Sequence, residues 1–162
     1  MEKKGMEGFV EKVFQFCFVL ISVIVLNYVF IEVNYVYYLV PFAYLELNWL
    51  GSVGIILSAI GLIFAIIAQL QMGNSWRLGL NKQEKTTLVK GKLFQYTRNP
   101  IYLGLLVSYV GFFLMMPNAF SLTFLAVSYV ALEIKIRLEE QYLIDKHGQD
   151  YLIYHAKIRR WI

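Results

Sequence analysis

The chain has 162 residues, 59% of them hydrophobic and 16% charged, with a formal net charge of +4 and a mean hydropathy of +0.56. A soluble domain averages about 45–50% apolar and about 25% charged residues, so a water-dissolved globule is excluded and a single bilayer-embedded domain is expected. Cys17 is the one cysteine and lies in an apolar run, which excludes a disulfide framework and any Cys/His metal spacing.

The N-terminus, Met1–Lys12, is charged, and the apolar run behind it is too long for a leader's hydrophobic core, with no small-residue cleavage site after it. A permanent spanning helix is predicted over residues 13–31, where no charge interrupts the run. Residues 34–45 are aromatic and contain Pro41, and read as an interfacial connection. A second spanning helix is predicted over 47–72, with Trp49 as an anchor at its start. Gly51, Ser52, Gly54, Ser58 and Gly61 give that helix a small-residue face suited to close helix contact.

A basic loop over 73–100 follows. The next apolar stretch, 101–138, is broken by Pro117-Asn118, which predicts a helical hairpin with a tight turn near Met116–Ala119. Its first arm is short for a full span, so a re-entrant hairpin stays open. The remainder, 139–162, reads as amphipathic helix, with Gly148 as a C-cap, Asp150 as an N-cap, and Tyr151, Tyr154, Ile158 and Trp161 on one face. The predicted fold class is thus an all-α integral membrane protein. About four transmembrane or hairpin helices carry C-terminal amphipathic helices that cap a cytoplasmic-face pocket.

Charge placement sets the orientation. With four apolar segments, all fifteen basic residues fall on one side: Lys3, Lys4 and Lys12; Arg77 to Arg98; and Lys135 to Arg160. The opposite connections carry Glu32 and Glu46 without Lys or Arg, so both termini and the 77–100 loop are expected in the cytoplasm.

Membrane chains place charge sparingly, and two clusters flank the hairpin. One is Leu88-Val89-Lys90-Gly91-Lys92-Leu93-Phe94-Gln95-Tyr96-Thr97-Arg98-Asn99-Pro100-Ile101-Tyr102-Leu103-Gly104; the other is Glu139-Glu140. Each alone has a plain reading. Cations beside a bilayer meet anionic headgroups, Asn99-Pro100 is a sound helix start, and Glu139-Glu140 could be a solvated helix end beside Lys135 and Arg137. His147 at a helix C-terminus is explained by the dipole, His155 reads as a surface residue, and no metal site is expected.

Taken together, the order of Gly91, Tyr96-Thr97-Arg98-Asn99-Pro100-Ile101-Tyr102-Leu103-Gly104, a hairpin, Glu139-Glu140, Gly148-x-x-Tyr151-x-x-Tyr154, then basic residues and Trp161 resembles the isoprenylcysteine carboxyl methyltransferase and phospholipid methyltransferase superfamily of membrane enzymes. Gly73-Asn74-Ser75-Trp76-Arg77 is also similar to that family's approach to the region. The resemblance covers about the last ninety residues and implies S-adenosylmethionine as methyl donor, bound at the cytoplasmic membrane face. It assigns donor binding to Leu88, Val89, Lys90, Gly91, Tyr96, Arg98, Asn99, Pro100, Tyr102, Glu139 and Glu140, and the catalytic region to Arg98, Asn99 and Tyr102.

Residue chemistry is compatible with those roles. A guanidinium grips a carboxylate through its forked donors, and a glutamate receives an ammonium or ribose hydroxyls. Asn99 departs from the many family members that carry His there, and asparagine cannot act as a base near neutral pH. The implied partners are the bilayer and a lipophilic methyl acceptor, with no nucleic acid. A carboxylate acceptor needs no base, which favours carboxyl methylation of an isoprenylcysteine-like substrate over a phospholipid amine. Two other readings stand beside it: a nicotinamide-dependent membrane reductase related to sterol reductases, and a non-enzymatic membrane protein in which Arg98 and Glu139 form a structural ion pair.

Overall fold

Small residues set the backbone geometry of this chain. The computed structural model describes residues 40–73 and 88–162, together with Gly8, Lys12, Gln15 and Val19, which are helical. The predicted 13–31 span lies otherwise outside the described residues, as do Asn74–Arg77. Among the described residues from 40 onward, four helices follow in chain order: α1 (Asn48–Met72), α2 (Pro100–Met115), α3 (Ala119–His147) and α4 (Gln149–Lys157), with 3-10 turns at Ala43–Leu45 and Lys92–Gln95.

Helix α1 rises about 37 Å at 1.5 Å per residue, enough to cross an apolar layer of about 30 Å. Helices α1 and α3 are both long and apolar enough to span, whereas α2, with 16 residues, is a shorter apolar helix. On α1, Ile56, Ile60, Ile63 and Leu70 are 56–73% exposed. A soluble protein does not leave such a stripe to water, and the architecture is that of an all-α integral membrane protein.

The inner stripe of α1 is Gly54, Ser58, Gly61, Ala65 and Ala68, spaced at helical intervals. It meets Gly111, Ser108 and Gly104 of the antiparallel α2 with almost no intervening side chain. A Cβ on Gly54 would lie 2.6 Å from the Gly111 carbonyl oxygen, and one on Gly61 would lie 2.5 Å from that of Gly104. Between them Ser58 Oγ donates to the Ser108 carbonyl at 3.2 Å, and Ser108 Oγ sits 3.2 Å from the Ser58 carbonyl. Close packing and polar pairing of this kind replace the hydrophobic drive that lipid removes. Gly51 and Ser52, expected on the same face, take no part: Gly51 has open space around it and Ser52 is exposed.

Met116–Asn118 form the hairpin turn. Asn118 caps α3 reciprocally with Ser121, its Oδ1 accepting from the Ser121 amide at 2.8 Å and its own amide donating to Ser121 Oγ at 3.2 Å. Segment 40–42 is tied to this turn by Phe42 N–H to the Pro117 carbonyl (2.9 Å) and Ala119 N–H to the Val40 carbonyl (3.1 Å). Phe124 of α3 packs edge-on against Tyr109 of α2, with ring centroids 5.1 Å apart.

Helix α3 does not stop at residue 138. It runs unbroken to His147, because Glu133–Arg137 pairing (3.7 Å) and burial of Ile136 and Glu140 continue one helical face past the apolar segment. Gly148 (φ +55°) then turns the chain in a single residue and serves both helix ends. The N-cap expected at Asp150 is accordingly at Gly148, and Asp150 sits in the first turn of α4, where a carboxylate complements the helix dipole.

Candidate functional site

The loop before α2 is anchored from three directions. Leu93 N–H donates to Gln71 Oε1 of α1 at 3.0 Å, and Tyr154 of α4 donates its hydroxyl to the Phe94 carbonyl at 2.6 Å. Burial raises the Tyr154 phenol to about 12, against the opposing Arg98 charge. Burial and the Glu140 charge raise that of Tyr151, which is 1% exposed.

The third anchor is the chain's own C-terminal end. Arg98 N–H donates to the Arg159 carbonyl (3.0 Å), while Thr97 Oγ1 (2.9 Å) and Asn99 Nδ2 (3.5 Å) both donate to that of Arg160. Asn99 occupies the N-cap position and Pro100 the first helical position, but the Asn99 side chain makes no cap bond, since it reaches the tail instead.

These anchors deliver Arg98 into a buried chain of charges. One arm, Nη2, lies 3.3 Å from Glu140 Oε1, and Nη1 donates to the His155 carbonyl at 3.1 Å. Glu140 in turn faces Arg160, whose Nη2 is 2.7 Å from Oε2 and whose Nε is 3.4 Å from Oε1. Arg160 Nη1 continues to Glu133 Oε2 at 3.1 Å. The Arg98 and Glu140 side chains are each 8% exposed. Guanidiniums and carboxylates alternate along the chain, with the exposed Arg137 a further partner of Glu133 at 3.7 Å, so each buried charge is paired. The Glu140 hydrogen bond raises the Arg160 guanidinium further above its ordinary value.

Two groups at this site keep capacity to spare. Arg98 Nε is buried without a hydrogen-bond partner. Glu139, beside Glu140 on α3, takes the Tyr102 hydroxyl at 2.8 Å on Oε2, and that is its one hydrogen bond among the described residues. An unpartnered N–H donor and a carboxylate at the same end of the hairpin suit a zwitterion, since one binds an anion and the other a cation or hydroxyls.

The structure thus gathers Arg98, Asn99, Tyr102, Glu139 and Glu140 at one end of the hairpin, with buried Pro100 beneath them. Leu88 and Val89 are half-buried, Lys90 and Gly91 are exposed, and Tyr96 is 68% exposed. No hydrogen bond or ion pair among the described residues joins Leu88–Gly91 or the Tyr96 side chain to the charge chain. Sequence reasoning missed Thr97, Glu133, Arg160 and the His155 carbonyl. The seven-residue interval from Glu133 to Glu140, two turns on one face, was the available signal for the first acidic partner; the basic residues before Trp161 belonged to the resembling pattern, but nothing singled out Arg160 among them.

Residues 49–150 match the family described as phospholipid methyltransferase. The chain is 31% identical over 108 residues to the protein-S-isoprenylcysteine O-methyltransferase of Saccharomyces cerevisiae, covering 65% of this chain and 45% of that protein. It also superposes with a TM-score of 0.71 and 20% identity on the eukaryotic intramembrane Ras methyltransferase (isoprenylcysteine carboxyl methyltransferase), covering 89% of this chain and 50% of the other. At that identity the likeness is one of fold. The chain spans about half the length of each of these relatives.

Proposed function

The chain belongs to the phospholipid methyltransferase family, and from that premise we propose that it is an S-adenosylmethionine-dependent integral membrane methyltransferase acting on a lipophilic acceptor, with an isoprenylcysteine-type carboxylate as the favoured substrate. The observation that carries this reading is the buried, unpartnered Arg98 Nε, at the same end of the hairpin as a Glu139 carboxylate held by Tyr102. Arg98 meets the donor's carboxylate through that nitrogen. Glu139 receives its ammonium or ribose hydroxyls. Leu88, Val89, Lys90, Gly91 and Tyr96 border the approach, and Asn99, Pro100 and Glu140 hold the loop geometry.

When bound, the donor supplies an electrophilic methyl on a cationic sulfonium. The chain's contribution is alignment and exclusion of water. Asn99 offers no base, and a carboxylate acceptor, already ionised, needs none. Its attack on a sulfonium also neutralises two charges, which a desolvated site favours. An ammonium acceptor would first have to shed a proton to a group this cluster does not offer. The relatives' names point the same way, toward an isoprenylcysteine acceptor. Both termini and the motif loop are cytoplasmic in this reading, and residues 47–72 help to form the path to the lipid phase.

The test is a calorimetric titration of the purified protein in detergent with S-adenosylhomocysteine and, separately, with reduced nicotinamide cofactor. Binding of the first and not the second is expected; the reverse would overturn the assignment. Incubation with methyl-labelled donor should place base-labile label on farnesylated N-acetylcysteine. Label on phosphatidylethanolamine alone would refute the carboxylate preference and leave the methyltransferase reading standing.

A further inference from the structure

The C-terminal tail lies beyond the stretch that matches the family, which ends at residue 150, yet it makes the closest ionic contact in the charge chain, Arg160 Nη2 to Glu140 Oε2 at 2.7 Å. Arg160 acts at three points at once. Its carbonyl receives the Thr97 hydroxyl and the Asn99 amide. Its guanidinium covers Glu140 with two nitrogens and reaches Glu133, two helical turns away on α3.

Glu140 therefore sits between two guanidiniums, with one oxygen toward Arg98 and the other toward Arg160. Such a carboxylate cannot swing out to meet a ligand without unpairing the buried Arg98 and the partly buried Arg160. It can only hold Arg98, and Arg160 fixes where it does so. With Nη1 committed to the His155 carbonyl and Nη2 to Glu140, the edge of Arg98 left for a ligand is Nε.

We infer that Arg160 is a positioning residue for the methyl donor: by clamping Glu140 with its guanidinium and the Thr97 and Asn99 side chains with its carbonyl, it sets the Arg98 guanidinium with its Nε edge presented to the donor's carboxylate. The C-terminal tail is then part of the donor site without touching the donor. This rests on the methyltransferase reading above, and the experiment separates the two. If the wild-type protein failed to bind S-adenosylhomocysteine, the reading itself would fall; the inference concerns only how variants change a binding that exists.

The experiment is a double-mutant cycle on the full chain in detergent, measuring the dissociation constant of S-adenosylhomocysteine and the acceptor KM for wild type, Arg160→Gln, Glu140→Gln and the double variant. Loss of a charge-assisted positioning contact predicts a roughly tenfold weaker dissociation constant for Arg160→Gln. The acceptor KM should change less than about twofold, since uniform loss of fold would move both constants. Because the two residues act in series, the double variant should bind no more weakly than the weaker single, a coupling that independent sites do not show. Unchanged affinity in a monodisperse Arg160→Gln protein would overturn the inference, and so would additive losses in the double variant. Should Arg160→Gln not yield monodisperse protein, Arg160→Lys decides. It keeps the charge but loses the fork, so several-fold weaker donor binding supports the inference and wild-type binding overturns it.

Discussion

Glu139 and Glu140 are adjacent, yet about 100° apart around α3, and that rotation divides their roles. Glu140 turns inward between Arg98 and Arg160, while Glu139 turns toward Tyr102. The donor's cationic end is thereby left to Glu139, and conservative substitutions test this. Glu139→Gln keeps a hydrogen-bond acceptor for Tyr102 but removes the charge, and a lost charged hydrogen bond of about 1.5–3 kcal/mol predicts S-adenosylhomocysteine binding weaker by about 10–100-fold. Tyr102→Phe removes only the orienting hydroxyl, so the expected loss is smaller, about threefold to tenfold, with the carboxylate still present. Calorimetry on the purified variants reads both. A Glu139→Gln protein that bound like wild type would refute a donor contact at Glu139.

At the scale of elements, the joint between α1 and α2 depends on the absence of side chains at a few positions. Gly61→Ala puts a methyl 2.5 Å from the Gly104 carbonyl oxygen, so the helices must part and the Ser58–Ser108 bonds stretch with them. Overpacking of this kind costs about 1–3 kcal/mol, which should lower the thermal midpoint in detergent by several degrees. Gly51→Ala is the internal control, because nothing lies within 4 Å of the added carbon and alanine favours helix by up to about 1 kcal/mol. Equal midpoints for the two variants would refute the close approach. Sequence reading anticipated a small-residue face on α1 from its glycines and serines, but not which glycines touch, since that depends on the antiparallel register with Gly104, Ser108 and Gly111. The hairpin turn was legible because Pro117 and Asn118 act locally. Gly148 marked the end of α3 as a C-cap, but the continuity of one helix through residue 138 was less legible, because charge after residue 132 reads as the end of an apolar segment, whereas Glu133 and Arg137 pair across a turn and keep the helix going.

For the whole molecule, what was legible in the site follows the same division between local and long-range. Arg98, Asn99, Tyr102 and the two glutamates were visible as charge and polarity out of place in an apolar chain. Arg160 was visible only as one of the basic residues before Trp161, and its role appears only when the tail folds back over sixty residues of sequence onto Thr97. That fold-back gathers Arg98, Arg137, Arg159 and Arg160 at one end of the helices and leaves Glu46 and the 116–119 turn at the other. Cytoplasmic loops carry the excess of Lys and Arg, so the charged end, with the donor site, should face the cytoplasm, where a water-soluble nucleotide donor is available. In a Cys17→Ser background, Glu46→Cys and Gln149→Cys place one thiol at an exposed residue of each end. A membrane-impermeant maleimide should label Glu46→Cys on intact cells, and Gln149→Cys only after permeabilisation. The opposite pattern would put the charge chain on the outer face, away from any cytoplasmic donor, and would break the link between this architecture and methyl transfer even if the purified protein bound S-adenosylhomocysteine.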